Sequence, residues 1–403
     1  MIFSSFNIDF FEFNDLKLVL NYNFDKEIFF KETIDFNIWK QFINYDKDIL
    51  DYLFYNILIS SWISYYKLYP FANIKLPINF SDKRINFWKK FYIHWLWEFL
   101  YKNKLNPNII KIINWTKKIK LDNFKHNNFI NKSLLLWWGW KDSIVSSQII
   151  KSDYDLLVVW KLDLIKLETA KVLWKTPILI KRQLDEKLFE LNNNKNFYNW
   201  HVPITWIISF ISFATAYLYW YNAVYTSNEK SAYEENIIWK WHKINHQYSK
   251  SIQFEKDFLD YNNSLNIDYK SLLSDLYEIE IAQKFSNFKE FFPYFSSCNR
   301  NFTINKKSNT NKRWCCNCEK CAFVRLILSP FIEIDELEKI FWENLFEKKE
   351  LYEIYLWLIW AKQKPFECVW TYNESKKAFK LVLKKYSNWK LPIILKKIKK
   401  HID

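Results

Sequence analysis

Three cysteines, Cys315, Cys318 and Cys321, follow one another at the spacing C-x2-C-x2-C, and Cys298 precedes them in the segment SSCNR. Three thiolates on one tight knuckle plus a fourth from a neighbouring segment make a tetrahedral sulfur set suited to a closed structural Zn²⁺ site. An Fe–S cluster is the rival occupant of the same donors, and buried thiols without metal are the plainer alternative. Cys316 is given no ligand role, because adjacent cysteines rarely bind one ion together. The second chemical feature is LLLWWGWKDSIVSSQ at 134–148. An apolar run leads into a short loop, Trp137, Trp138, Gly139 and Trp140, after which Lys141, Asp142 and Ser143 open a helical segment. Backbone N–H groups of such a loop, together with the helix N-terminus, face an anion. Indole rings at 137, 138 and 140 would take up the space that phosphates need.

That conflict belongs to a wider anomaly: the 403 residues hold 22 Trp and one Gly, whereas average glycine usage is about 7%. A fold of this size without glycine has no easy residue for positive-φ turns and helix C-caps. We read the imbalance as UGA codons meant as glycine and translated as tryptophan. The abundance of Lys, Asn, Ile, Phe and Tyr agrees with an A/T-rich gene.

These residues need a scaffold. Residues 1–36 alternate apolar and polar around short turns (FNIDFFEF, LKLVLNYNF, EIFFKETIDF), which predicts an antiparallel meander. The stretches 47–69 and 85–105 carry apolar residues at helical spacing, so 1–130 reads as an N-terminal α/β domain. From Ser133 short apolar runs alternate with helical segments: SLLL, SIVSSQIIK, DLLVVW, LIKLETAKVL, PILIKR, a helix after Pro203, then NAVYT. That alternation predicts a Rossmann-like parallel sheet over 131–290, with ligands outside the C-terminal strand ends. Ser227, Asn228 and Glu229 directly follow NAVYT. Residues 291–403 form a Cys-knuckle region with helices near 335–346 and 350–361 and a Lys-rich helical tail. The uncharged stretch Ile204–Tyr225 reads as a buried helix plus a strand, not as a membrane span.

The net charge of +15 rests on scattered Lys. It favours an anionic substrate such as a nucleotide over a nucleic-acid interface. Clustered cysteines suggest a reducing compartment, and the start MIFSSFNIDFFEFNDLK lacks a basic leader, so a cytoplasmic location is expected.

With glycine in place of tryptophan, 134–147 reads LLLGGGGKDSIVSS and resembles the pyrophosphate loop of N-type ATP pyrophosphatases, although Gly replaces the first Ser of that pattern. The resemblance implies ATP held by the loop residues and Ser143, with Asp142 positioning Mg²⁺. A four-cysteine knuckle similar to this one occurs in the deazaguanine synthase branch of the same superfamily. Further segments, SSWISYYK (60–67), HWLWEFLY (94–101), WHVPITW (200–206), YTSNEKSA (225–232), INHQYSKSIQFE (244–255), SSCNR, WCCNCEKCAFV (314–324) and KPFECVW (364–370), resemble the UDP-N-acetylmuramoyl-L-alanyl-L-glutamate epimerases of peptidoglycan synthesis. That resemblance implies ATP-dependent inversion of a terminal L-glutamate, a UDP-muramoyl dipeptide as substrate, and the ligase that adds L-glutamate as a partner. For the proton transfers the chain offers His201, Glu229, His246, Cys298 and Cys368, unranked. Lys250 and Arg300 are candidate anchors for phosphates or carboxylates. Competing readings are an ATP-dependent nucleobase- or tRNA-modifying enzyme and a basic zinc-containing nucleic-acid-binding module.

Overall fold

The structure, a computed structural model, describes residues 2–36, 45–77, 81–113, 130–200, 202–302, 312–360, 371–386 and 390–402. Three strands form the expected meander: β1 (Ser5–Asn14), β2 (Lys17–Phe24) and β3 (Ile28–Asp35). Two short strands follow, β4 (Asn73–Lys75) and β5 (Ile112–Ile113). The alternating segments then supply β6 (Ile130–Leu136), β7 (Tyr154–Val159), β8 (Ile178–Gln183) and β9 (Tyr221–Thr226). A hairpin, β10 (Ile237–Trp239) with β11 (His242–Ile244), stands apart, and β12 (Asp268–Ser271) returns beside β9.

Ten of these strands share one sheet in the order β12-β9-β6-β7-β8-β3-β2-β1-β4-β5. The half from β12 to β8 is parallel throughout. β3 then pairs antiparallel with β8, Ile34 opposite Arg182. The meander and the parallel half are therefore continuous across residue 130, which the alternation of short runs could not reveal.

Strand alternation divides the core in two. Leu134, Leu136, Leu157 and Val159 pack in one apolar cluster with Ile207, Ile211 and Ile57. Their neighbours Leu135, Leu156 and Val158 enter another with Ile144, Val145, Ala282 and Leu326. A parallel strand covered on both faces needs such an unbroken apolar run, and each buried Leu contributes roughly 1.5–3 kcal/mol. The stretch after Pro203 is the helix Ile204–Leu218, nearly all buried, and Trp220 ends it at φ 67° before β9 begins. Among the described residues no helix is long and apolar enough to cross a membrane.

Candidate functional site

β6 and β9 are parallel neighbours, so the segments that follow their C-terminal ends lie side by side. Between them is a cleft of about 270 Å³. The loop after β6 contributes Trp138, Trp140, Asp142 and Ser143, and the segment after β9 contributes Ser227, Asn228 and Glu229. Ile204, Thr205 and Ile208 form an apolar wall, while Lys250, Glu278 and Lys320 complete the lining.

The loop opens the helix Lys141–Ile149, with Trp140 as an extended N-cap and Ser143 Oγ donating to the Trp140 carbonyl at 3.0 Å. Gly139 has φ +70°, and a Cβ there would lie 2.8 Å from Thr169 Oγ1 and 3.1 Å from the Ile165 carbonyl. The chain's only glycine thus stands where backbone angle and neighbours both reject a side chain. Trp137 is buried, its indole N–H donating to the Lys166 carbonyl at 3.0 Å. The rings of Trp138 and Trp140 lie 5.7 Å apart at the mouth of the loop. Ser227 Oγ is buried without a hydrogen-bond partner among the described residues, a polar atom suited to a ligand.

Three carboxylates and three ammonium groups meet here. Buried Lys141 binds Asp142 and Glu278, and Lys320 lies 3.9 Å from Glu278. Burial pushes the Glu278 carboxyl up to about 7; Lys141 and Lys320 oppose the rise, while Asp142 and Glu229 add to it. Burial acts on Glu229 in the same sense, but Lys250, a backbone N–H, Lys320 and Lys141 outweigh it and hold that carboxyl below its ordinary value. Gln247 Nε2 also donates to Glu229 at 3.3 Å. Two acids in one cleft are thereby separated in strength, an arrangement that lets one remain ionised while the other exchanges a proton near neutrality.

The cysteines gather as the spacing predicts. The sulfurs of Cys298, Cys315, Cys318 and Cys321 all lie within 4.8 Å of one another, with Cys315–Cys321 at 3.7 Å and Cys318–Cys321 at 3.4 Å. A tetrahedral ion with Zn–S bonds of about 2.3 Å would separate its sulfurs by about 3.8 Å, so this cluster could hold a metal such as zinc. Cys316 turns away at φ 56° and its thiol donates to the Phe341 carbonyl at 2.9 Å. Cys318 caps the helix Glu319–Leu328, whose first turn carries Lys320 into the cleft. The knuckle and the cleft therefore share one stretch of chain, Lys320 standing between Cys318 and Cys321.

Of the other candidates, Lys250 lines the cleft and Arg300 is exposed on the turn Asn299–Phe302. His246 is not among the cleft-lining residues: its Nδ1 lies 2.6 Å from Glu98 Oε2 on the helix Asp82–Lys102. His201, Cys368 and the segment KPFECVW lie outside the described residues. Sequence reasoning missed Glu278 and Lys320. Lys320 sits inside the CEKC knuckle, where its position at a helix start was a usable signal; nothing local marks Glu278, which arrives from a helix 137 residues after its partner Lys141.

Comparison with known proteins agrees with the residue-level reading. Residues 2–272 match the MurL N-terminal domain and residues 294–403 the MurL C-terminal domain. A protein of Salinispora tropica named UDP-N-acetyl-alpha-D-muramoyl-L-alanyl-L-glutamate epimerase is 32% identical over 335 residues, 81% of this chain and 72% of the relative. One of the same name from a Micromonospora strain is 31% identical, covering 79% of this chain and 72% of its own. A third, from Xanthomonas oryzae pv. oryzae, is 35% identical over 66% of this chain and 59% of its own. No solved structure matches. The chain belongs to the MurL family of UDP-N-acetylmuramoyl-L-alanyl-L-glutamate epimerases.

Proposed function

We propose that this protein inverts the terminal L-glutamate of UDP-N-acetylmuramoyl-L-alanyl-L-glutamate to D-glutamate at the expense of ATP, releasing AMP and diphosphate, in the cytoplasm and for peptidoglycan synthesis. The observation that carries the reading is the agreement of both family domains and of relatives bearing that enzyme's name over about four fifths of the chain. The chemistry explains why ATP is needed. A carboxylate disfavours loss of the neighbouring α-proton, because a second negative charge would form beside the first. Attack of the glutamate carboxylate on the α-phosphorus of ATP, with diphosphate leaving, converts it to an acyl-adenylate whose carbonyl accepts electron density. A base then removes the α-proton, an acid returns one to the opposite face, and water cleaves the acyl-adenylate to AMP and the inverted carboxylate.

On this reading the loop after β6 is a pyrophosphate loop, with Trp137, Trp138, Gly139, Trp140, Lys141 and Ser143 around the phosphates and Ser227 and Asn228 facing them from β9. It requires glycine at 137, 138 and 140, where the composition points to glycine, since the indoles of Trp138 and Trp140 line the cleft. Asp142 would hold Mg²⁺, whose charge favours departure of the diphosphate. Glu229 is the proton-transfer candidate that lines this cleft; His201, His246 and Cys368 remain candidates beside it. The ligase that supplies the L-glutamate substrate is the expected partner, and Zn²⁺ the expected occupant of the knuckle.

Incubation with UDP-N-acetylmuramoyl-L-alanyl-L-glutamate and ATP in D₂O tests the reading. It predicts one AMP per D-glutamate formed and deuterium at the glutamate α-carbon. Inversion without ATP, or with the α-proton retained, would overturn it. ATP consumption triggered by a nucleobase or tRNA would favour the modifying-enzyme reading instead.

A further inference from the structure

A second cleft, of about 480 Å³, opens at the C-terminal ends of β7 and β8 and is lined by Ser64, Lys67, Trp160, Asn192, Trp200 and Val202 among others. Trp200 and Val202 line this cleft, and Ile204 and Thr205, a few residues on, line the loop cleft. Lys67 is buried and donates to the Trp200 carbonyl. An ammonium has three N–H donors, so two are left without an acceptor among the described residues. No described carboxylate pairs with it, burial being the only influence on its amine, and Glu32 is taken by Arg182 at 2.6 Å in a fully buried bridge. Arg182 also donates to Ser64 Oγ at 3.2 Å, which leaves the Ser64 proton to be given elsewhere. Arg182 Nη1 and Asn192 Oδ1 are buried with no hydrogen-bond partner among the described residues. A buried cation without a counter-ion is costly unless a ligand supplies one.

We propose that this cleft is a second anion subsite, in which Lys67 and Ser64 hold an anionic oxygen group of the substrate, either its diphosphate or a carboxylate of its dipeptide, while the reacting end occupies the loop cleft. The assignment rests on the epimerase reading for the identity of the substrate and on the buried cation for the site itself. Calorimetric titration of the full chain and of Lys67→Met with UDP, inorganic pyrophosphate and L-alanyl-L-glutamate separates the sources. The subsite predicts a loss of about tenfold or more for at least one of them. Loss for UDP and pyrophosphate places the diphosphate there; loss for the dipeptide alone places the carboxylate. ATP affinity and a thermal melt report that the variant is folded. Equal affinities of both forms for all three probes, or no binding of any by the unaltered chain, would overturn the subsite. Failure of the epimerase reading shows elsewhere, as absence of inversion with Lys67-dependent anion binding intact.

A separate observation carries a second inference. Thirteen described non-glycine residues have positive φ, and five are Trp: Trp160, Trp174, Trp220, Trp241 and Trp342. Tryptophan supplies only 22 of 403 residues, so chance would place about one there. Trp220 and Trp342 end helices in the left-handed region, where glycine is the usual residue. Lys240 and Trp241 form the two-residue turn between β10 and β11, at φ 47° and 68°, which favours glycine at its second position. Trp174 is 96% and Trp241 97% exposed, so neither ring packs. We infer that these five positions are glycine in the protein its source makes. UGA at all five codons, and a peptide mass showing glycine at each position in the native protein, are expected; UGG codons or tryptophan masses there would overturn it.

Discussion

The cysteine knuckle and the loop cleft were both legible as motifs, yet the fold treats them differently. The knuckle is finished: four sulfurs from two segments stand within 4.8 Å of one another. The cleft has its framework, with Gly139 at φ +70° and the helix N-terminus behind it, but two indoles line the space where an anion would sit. The cysteine set needs no tryptophan position to change; the loop, on the proposed phosphate-binding reading, needs glycine at 137, 138 and 140, because that role depends on missing side chains. The two regions also meet, since Cys318 caps the helix that delivers Lys320 to Glu278.

The sharpest way to separate them is to disable one without the other. Asp142→Ala should abolish both AMP release and inversion, a loss on the order of a thousandfold or more, with metal content unchanged. A variant that still adenylates would remove Asp142 from the activation step. Cys318→Ser should instead lower the melting temperature by several degrees and reduce the metal bound per chain, measured by calorimetry and elemental analysis. Cys316→Ser, whose thiol faces the Phe341 carbonyl and Glu343 instead of the sulfur cluster, should leave the metal in place. Equal metal loss in the two variants would contradict the assignment of ligands.

Lys320→Met probes the join between the regions. Turnover should fall by roughly ten- to a hundredfold with metal content unchanged, because Glu278 loses one of the two ammonium groups that restrain its rise. If the Glu278 carboxyl, pushed up to about 7 by burial, is the group whose ionisation sets turnover, kcat against pH should bend near 7 in the unaltered chain and at higher pH in the variant; an unmoved profile would remove Glu278 from that role.

The smallest effect concerns Lys67. Burial pulls its amine from 10.5 down to about 8. A cation with a depressed folded value favours the native state above its unfolded value and loses that contribution as pH falls through the folded one. The stability of the unaltered chain relative to Lys67→Met should therefore decline between about pH 10.5 and about pH 8. Melts that run parallel over this range would show that the amine is not buried.

Apolar alternation by itself determined the meander and the strand–helix order, because the periods of a two-faced strand and a one-faced helix are local properties. The same local chemistry exposed the knuckle, the loop and the shortage of glycine. Pairing was another matter: β3 beside β8 and β12 beside β9 follow from which edges remain open once the helices are packed, and no run of residues encodes that. Glu278 and Lys320 joined the cleft for the same reason, since each stands at the start of a helix whose direction is set by the core beneath it. Tertiary packing also left Lys67 buried without a counter-ion among the described residues, whereas in the sequence it is one lysine among many.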